Sequence, residues 1–309
     1  MYSTEKMAVL LATYNAEKYI DAQIESLLKQ TYQEYVICIH DDGSIDKTVE
    51  IIKNYQKQYP DKIILLEGEP TGGAKDNFFY LMKEVEAPYY MFSDQDDVWL
   101  PNKMKVTHDR LQKLVREYSD KNPLLVSTDL KVVNEELDIL SESMRVYSKI
   151  QMGKQISLNK LLIQNYAVGC TLMFNRRLRD LAVGSYNSRI VMHDWWLAMI
   201  AQVMGAYENM DCATILYRQH GDNSVGASNV NISYSIGKLG KLKEKAEIIH
   251  QTRLQAYAFC KKFPEVENKM LSAYSKLGRK NKLYRMYFHI RYGINKQGLF
   301  RKIGILLCC

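Results

Sequence analysis

The stretch MFSDQDDVWLPNKM, residues 91–104, places three acidic residues directly after an apolar run and directly before a tryptophan and a proline. The acids are Asp94, Asp96 and Asp97. Carboxylates this close raise each other's pKa and repel unless a cation or a hydrogen-bond donor compensates them. The fold must therefore explain why a buried strand ends in a concentration of negative charge.

Strand-like and helix-like segments alternate along the chain before this stretch. Apolar residues recur at helical spacing in the first helical segment, and Ser44 is predicted to open the second. The strand-like segments are 7–15, 35–42, 62–69 and 89–97, and the helix-like segments are 16–32, 44–59 and 75–85. This order predicts an α/β fold, a mostly parallel sheet with helices on both faces, whose ligands gather at the carboxyl ends of the strands.

A second acidic pair, Asp41 and Asp42, follows the second predicted strand as Asp94 to Asp97 follow the fourth. In a parallel sheet both groups face one crevice. A divalent ion with oxygen ligands, Mg²⁺ or Mn²⁺, would compensate them and could also bind substrate phosphates. The alternative is that these acids cap helices and fill solvated turns.

Composition excludes several classes of protein. The 309 residues contain no uncharged apolar run of eighteen, and the apolar segment 7–14 lacks the flanks of a signal peptide, so we expect neither a transmembrane protein nor a secreted one. Six cysteines without metal-type spacing indicate a reducing cytoplasm and no zinc site. The net charge of +7 is concentrated in the tail, because residues 276–302 carry nine basic residues and no acid.

Several motifs resemble those of the family 2 glycosyltransferases, whose nucleotide-binding half has the GT-A fold. The resemblance covers roughly residues 7–225 and rests on LLATYNAEKYIDAQIESLLKQTY, IHDDGSIDKT and FSDQDDVWLPNKM in that order. SDQDDVWLPNK, HDWWL at 193–197 and YRQHGDN at 217–223 are similar, more narrowly, to bacterial rhamnosyltransferases of surface polysaccharide synthesis.

This resemblance implies roles for residues that bind the donor. Asp42 would accept a hydrogen bond from a pyrimidine ring that Tyr14 packs against. Asp96 would hold Mg²⁺ or Mn²⁺, and Asp94 would lie close to both the ribose and the metal. Asp97 either joins them or caps the turn before Pro101.

Further residues near the donor follow from the same resemblance. Lys75 and Asn77 would lie near the diphosphate or the ribose, and His220 would bind the metal or the diphosphate. Arg218 is a weaker candidate beside it, and residues 164–176 are expected to line the acceptor side.

Inversion at a sugar carbon also requires a base opposite the diphosphate. Asp194 matches the family's catalytic acid near the start of a helix, and Trp195 and Trp196 could pack on a sugar ring. The alternative is an ordinary core helix with an acid in its first turn. His193 is expected to support Asp194 from outside the contact with substrate.

The predicted function is therefore an inverting, metal-dependent transfer of a 6-deoxyhexose, L-rhamnose from dTDP-rhamnose, to a growing glycan. One alternative is a transferase for another nucleotide sugar, such as a UDP-hexose. The others are a nucleotide-sugar-binding protein without catalysis and a nucleic-acid-binding protein. The intact Asp96 and Asp194 argue against the former, and the acidic crevice argues against the latter.

We expect a catalytic domain over residues 1–228, divided near residue 103 into a nucleotide-sugar half and an acceptor half, followed by a basic helical region over 229–309. In that tail, tyrosine and phenylalanine alternate with lysine and arginine, which is typical of helices that lie on an anionic membrane surface. The predicted site of action is the cytoplasmic face of the cell membrane, with a lipid-linked acceptor. The alternative is that the tail packs on the catalytic domain or on a second subunit, forming a homodimer.

Overall fold

The computed structural model describes residues 1–221 and 242–309. The strands are β1 (Tyr2–Ser3), β2 (Met7–Thr13), β3 (Tyr35–Asp41), β4 (Ile63–Leu65), β5 (Val85–Glu86), β6 (Tyr89–Ser93), β7 (Val98–Trp99), β8 (Leu124–Val133), β9 (Ile139–Ser141), β10 (Leu172–Asn175) and β11 (Ala206–Arg218). The helices are α1 (Ile20–Leu28), α2 (Thr48–Gln58), α3 (Ala74–Glu84), α4 (Lys103–Tyr118), α5 (Met144–Tyr147), α6 (Leu158–Leu161), α7 (Arg176–Gly184), α8 (His193–Met204), α9 (Leu242–Lys262), α10 (Lys269–Ser275), α11 (Lys282–Arg291) and α12 (Leu299–Cys308).

One large mixed sheet forms the centre of the fold. Its strand order is β4-β3-β2-β6-β10-β8-β11-β7, with β9 paired to β8, while β1 and β5 form a separate parallel pair. The strands predicted from the sequence, β2, β3, β4 and β6, are parallel to one another. Strand β10, which the sequence pattern did not assign, pairs antiparallel with β6 and with β8. The predicted α/β class and the helical C-terminal region are confirmed.

The chain reverses its direction of travel across the sheet at β2. It runs outward from β2 to β3 and β4, then returns to pair β6 with the other side of β2. Loops on the two sides of such a strand diverge at its carboxyl end, which leaves a crevice where α/β proteins bind ligands. The loops that follow β2, β3 and β6 contain Tyr14, Asp42 and Asp94.

Strand β2 is buried on both faces because helices cover the sheet on both sides. Ala8 and Leu10 belong to one apolar cluster, and Met7, Val9 and Leu11 belong to the other. This explains why β2 reads as a continuous apolar run rather than an alternating one. The two-sided burial fixes the register of β2 and, with it, the position of the crevice.

The prediction that Ser44 opens the second helix is wrong. Helix α2 begins at Thr48, whose backbone N–H donates to Asp46 Oδ1 at 3.0 Å. The Ser44 hydroxyl instead donates to Asp41 Oδ2 at 2.7 Å and accepts from the backbone N–H of Asn15 at 2.8 Å. Ser44 therefore ties the loops after β2 and β3 together.

The C-terminal helices pack on the catalytic region. Phe259 of α9 meets Trp196 of α8 edge-on, with ring centroids 5.7 Å apart, and Gln255 Oε1 accepts from the backbone N–H of Val191 at 2.8 Å. Phe288 and Ile305 belong to the same apolar cluster as Leu10 of β2. A chain that ended near residue 229 would expose this core, so we expect such a truncated protein to aggregate.

The predicted domain boundary between residues 228 and 229 lies outside the described residues. The sequence also predicts a charged helix over residues 237–262, of which residues 242–262 form α9 and residues 237–241 lie outside the described ranges. Within the described ranges, no helix combines the length and the hydropathy needed to cross a membrane.

Candidate active site

A glutamine joins the loop after β2 to the loop after β6. Gln95 Oε1 accepts from the backbone N–H of Tyr14 at 2.6 Å, and Gln95 Nε2 donates to the Tyr14 carbonyl at 3.0 Å. These two bonds hold the backbone while the Tyr14 residue remains 54% exposed. Its ring is therefore available to pack against a ligand. The sequence pattern did not identify Gln95, because a single glutamine between two aspartates belongs to no recognisable motif.

The two acids after β3 have different partners. Asp41 accepts from the Thr13 hydroxyl at 2.8 Å and from the backbone N–H of Ser44 at 2.7 Å, so it organises the turn. Asp42 Oδ1 accepts from the Thr71 hydroxyl at 2.8 Å and from the backbone N–H of Gly72 at 3.2 Å, in addition to the Thr71 backbone N–H. All three bonds use Oδ1, which leaves Oδ2 as an acceptor for a ligand.

Glycine is required at position 43 for this turn. Gly43 has a φ of +88°, and a Cβ atom there would lie 2.9 Å from Cγ of Pro70. The close approach brings the loop that contains Asp42 against the segment that leads to α3. The hydrogen bonds from Thr71 and Gly72 to Asp42 depend on it.

Asp96 and His220, two of the predicted metal ligands, are in direct contact. His220 Nε2 lies 2.8 Å from Asp96 Oδ2, and both side chains are largely buried. The His220 ring stacks on Tyr19 with centroids 4.6 Å apart. Tyr19 is itself held by Glu135, whose Oε1 accepts from the Tyr19 hydroxyl at 2.8 Å. The contact of Tyr19 with His220 was not predicted from the sequence.

Arg218 connects the end of β11 to the acidic loop, residues 94–97, by hydrogen bonds. Its Nε donates to the Asp96 carbonyl at 2.9 Å, and its backbone N–H donates to Asp97 Oδ1 at 3.2 Å. Asp97 therefore binds β11 and does not cap the turn before Pro101. Through this contact β11 positions His220, which follows it by two residues.

The acidic loop carries charge that the protein itself does not fully compensate. Burial and the neighbouring carboxylates Asp96 and Asp194 raise the pKa of Asp94. Burial, followed by Asp96 and Asp94, raises the pKa of Asp97, whose Oδ2 is buried without a hydrogen-bond partner. A bound cation would relieve this repulsion.

The donor set fits a hard divalent cation. Asp96 Oδ2 and His220 Nε2, 2.8 Å apart, are hydrogen-bonded to each other, so a cation held by both residues would replace this hydrogen bond. Ligand atoms of Asp94, Asp97 and Cys170 also lie within 4.8 Å of one another. Burial raises the pKa of the Cys170 thiol, so it remains neutral and is a poor ligand for Mg²⁺ or Mn²⁺.

Asp194 lies in the first turn of α8, facing the acidic loop. Its Oδ1 accepts from the backbone N–H of Trp195 at 2.6 Å, and burial raises its pKa to about 7. A Cβ atom at Gly169 would lie 3.8 Å from Asp194 Oδ2 and 3.0 Å from His193 Nε2, so glycine there keeps the approach to the carboxylate open. Cys170, which follows Gly169, has its Sγ atom within 4.8 Å of ligand atoms of Asp94 and Asp97, so Asp194 and the acidic loop meet the same short segment.

The prediction that Trp195 and Trp196 pack on a sugar ring is wrong. Trp195 Nε1 donates to the Leu161 carbonyl at 2.6 Å, Trp196 Nε1 donates to Ser185 Oγ at 2.9 Å, and both rings are buried in the core. His193 packs between Phe78 and Phe92, and burial lowers its pKa to about 3, so it remains neutral. These side chains fix α8 and thereby the position of Asp194.

The two residues of α3 that were predicted to contact the donor have different surroundings. The prediction for Asn77 is corrected, because its side chain is buried and supports β3. Its Oδ1 lies 2.8 Å from His40 Nδ1, and its Nδ2 donates to the His40 carbonyl at 3.2 Å. Lys75 Nζ lies 3.5 Å from the Ile190 carbonyl and 3.6 Å from Asp76. Lys75 is partly exposed near the segment that leads to α8, and its role in donor binding stays a prediction.

Comparison with known proteins identifies relatives of this chain. The family model described as Glycosyl transferase family 2 matches residues 8–181. A dTDP-rhamnosyl transferase of Shigella flexneri, RfbG, is 29% identical over 248 residues, which cover 76% of this chain and 80% of that protein. WfgD of Escherichia coli, described as a UDP-Glc:alpha-D-GlcNAc-diphosphoundecaprenol beta-1,3-glucosyltransferase, is 27% identical over 173 residues, 56% of this chain and 61% of that protein.

A solved structure supports the fold. Residues 1–349 of Staphylococcus aureus TarS, crystallised with UDP-GlcNAc, align with a TM-score of 0.51 and 19% identity over 93% of this chain and 79% of that chain. At this identity the likeness establishes the architecture alone.

Proposed function

From the premise that this chain belongs to glycosyl transferase family 2, we propose that it is an inverting, metal-dependent transferase of L-rhamnose from dTDP-rhamnose to a bacterial surface polysaccharide. The observation that supports the chemistry is that Asp194, whose pKa is raised by burial, meets Gly169, while the next residue, Cys170, lies within 4.8 Å of Asp94. The choice of rhamnose rests on the likeness to RfbG and on the motifs at 92–104, 193–197 and 217–223.

Asp194 acts as the general base in this proposal. Its carboxylate accepts the proton of the attacking acceptor hydroxyl while the bond between the sugar and the diphosphate breaks on the opposite face. A pKa near 7 suits this role, because about half of the carboxyl groups are ionised at neutral pH and the carboxylate is basic enough to bind a proton effectively. His193, Trp195 and Trp196 hold the helix that presents it.

Asp96, His220 and Asp94 would hold the Mg²⁺ or Mn²⁺ ion, which acts as a Lewis acid on the departing diphosphate. Neighbouring residues position these three side chains. Arg218 fixes the acidic loop to β11, and Tyr19 fixes the ring of His220.

Donor selection is assigned to Asp42 and Tyr14, with Lys75 beside them. We expect GDP to compete with the donor far more weakly than dTDP or UDP, because a purine does not present its ring N–H to Asp42 in the same position. Inhibition of transfer by the three nucleotides measures this. Equal inhibition by GDP and dTDP would contradict the assignment, and Asp42→Asn should narrow the difference between them.

A UDP-hexose donor is the second candidate, because WfgD, named for UDP-glucose, is also similar to this chain. A panel of nucleotide sugars tested for protection against thermal unfolding, with and without Mn²⁺, separates the two. A ligand at a hundredfold its Kd stabilises the folded protein by about 2.7 kcal/mol. The donor is the sugar nucleotide that gives this stabilisation at the lowest concentration.

The proposed place of action is the cytoplasmic face of the membrane, where the chain would attach peripherally and use a lipid-linked acceptor. Helix α11 supports this because its exposed apolar residues, Leu283, Tyr287 and Ile290, recur every three or four positions and so share one face. Basic residues without any acid surround that face in the sequence between 276 and 302. Each well-placed cation adds about 1 kcal/mol on an anionic leaflet.

We therefore expect the full-length protein to sediment with vesicles that contain phosphatidylglycerol and to be released by high salt. The double variant Leu283→Ser, Ile290→Ser should lose most of this binding, since it removes apolar contact and leaves the charge unchanged. Val146→Ser, an exposed apolar position outside the tail, is the matched control. If the double variant binds vesicles normally and instead separates a dimer, the face of α11 is an oligomerisation surface.

A further inference from the structure

The C-terminal helices contain a buried arginine without a counterion. Arg253 of α9 is 6% exposed, and its Nε and Nη2 atoms have no hydrogen-bond partner. Among the ion pairs of the described residues, none includes Arg253. Burial of an unpaired charge is strongly unfavourable. A ligand of opposite charge would remove that cost.

Tyr274 links α9 to α11, which carries more unpartnered donors. Its hydroxyl lies 2.8 Å from Oγ1 of Thr252, the residue before Arg253, and its ring meets the ring of His289 with centroids 6.0 Å apart. The Nε atom of Arg285 is buried and has no partner, and the charge of Arg285 lowers the pKa of Arg253 further after burial itself. His289 Nδ1 lies 2.7 Å from the Ile294 carbonyl, to which it donates, while its Nε2 is buried and unpartnered. Burial, and then the charges of Arg253 and Arg285, keep the pKa of His289 low, at about 4.

The surrounding chain supplies positive charge and no acid from the α11 side. Residues 276–302 contain no aspartate or glutamate. Burial raises the pKa of the Cys309 thiol, and the charges of Arg253, Arg285 and Lys282 oppose that rise. Lys282 is exposed to solvent and Arg285 is partly exposed.

We propose that α9 and α11 form a phosphate-binding site, in which Arg253 and Arg285 donate hydrogen bonds to the phosphate oxygens. A guanidinium group matches a phosphate in a bidentate geometry, and two such groups balance the charge of about −2 that a phosphate monoester carries. This site is separate from the acidic crevice and does not depend on the proposed transferase activity.

Thermal unfolding with inorganic phosphate tests the proposal. The measurement uses the full chain in EDTA, so that no divalent cation can recruit phosphate to the acidic loop, and compares phosphate with sodium chloride at equal ionic strength. At a hundredfold its Kd, phosphate should raise the folding equilibrium constant of the wild type about a hundredfold. Arg253→Met should not respond to phosphate.

The stability of Arg253→Met, measured with and without phosphate, gives a second test, whose result would differ if Arg253 had only a structural role. Without phosphate, Arg253 is a buried charge without a counterion, so Arg253→Met should be at least as stable as the wild type. In saturating phosphate, Arg253→Met should be less stable than the wild type. Arg291→Met, at an exposed position of α11, is the control and should keep the full response. Should Arg253→Met fail to fold, Arg285→Gln replaces it and should weaken the phosphate response at least tenfold.

Vesicles identify the source of the phosphate group. If a lipid headgroup is the ligand, vesicles with phosphatidic acid should bind more protein than vesicles with the same fraction of phosphatidylglycerol, and Arg253→Met should abolish this difference. If the ligand is a soluble phosphate, inorganic phosphate stabilises the wild type while the two vesicles bind equally. No response of the wild type to phosphate, or an unchanged response in Arg253→Met, would overturn the proposal.

Discussion

Replacing Asp194 by Asn is expected to lower kcat by about 10²–10⁴-fold, the usual contribution of a general base, while donor binding remains normal. The amide cannot accept the proton of the acceptor hydroxyl, but its size and its contact with the Trp195 backbone can be retained. Single-turnover transfer measures the loss, and protection by the nucleotide sugar against unfolding measures binding. Asp211→Asn, at a fully exposed acid, is the control and should leave turnover unchanged.

The pH profile gives the same residue a second test. Burial raises the pKa of Asp194 to about 7, and the base acts in its ionised form. With saturating Mn²⁺, kcat/KM of the wild type should therefore fall about tenfold for each pH unit below about 7 and level off above it. Asp194→Asn should lack this limb. Near-normal transfer by the variant would eliminate Asp194 as the base.

Replacing Asp96 by Asn should cost at least about 10–100-fold in affinity for Mn²⁺ and a comparable or larger factor in turnover at limiting metal. The substitution removes a charged ligand and weakens the contact with His220. Isothermal titration with Mn²⁺ and turnover over a range of Mn²⁺ concentrations measure the two effects. Wild-type turnover that persists after dialysis against EDTA would falsify the metal assignment.

The stability of this variant separates a metal site from a structural cluster. Without metal, Asp96 raises the pKa of both Asp94 and Asp97 by repulsion, so its neutralisation should leave the melting temperature in EDTA equal to or above that of the wild type. Early melting would mean that the acids stabilise the fold. Asp109→Asn, in an exposed ion pair with Lys105, controls for the loss of one surface charge.

The elements that could be predicted from the sequence are those whose apolar residues recur at a short, regular spacing. The order of β2, α1 and β3 follows from apolar runs and helical spacing, because burial on both sheet faces and on one helix face determines those residues directly. The crevice followed from the order of the elements. The pairing of Asp96 with His220, 124 positions apart, came only from the family resemblance and then from the structure.

The failures concern the direction in which a side chain points. Trp195 and Asn77 lie beside predicted site residues in the sequence but turn into the core, where Leu161 and His40 satisfy their polar atoms. Serine is a residue type that often caps a helix, yet the hydroxyl of Ser44 donates to Asp41 instead. Hydrogen bonds between distant residues decided these cases, and no local pattern records them.

The packing of α12 into the central core has a consequence for the order of folding. Ile305 and Leu10 belong to one apolar cluster, and α9 covers α8 through the contact of Phe259 with Trp196, so contacts between residues far apart in the sequence help to close one side of the sheet. Such contacts form late, because the entropy of closing a long loop must be overcome before they stabilise anything. During synthesis, the apolar side of α8 therefore stays uncovered until α9 leaves the ribosome. This interval exposes the nascent chain to aggregation and makes it a natural client for chaperones.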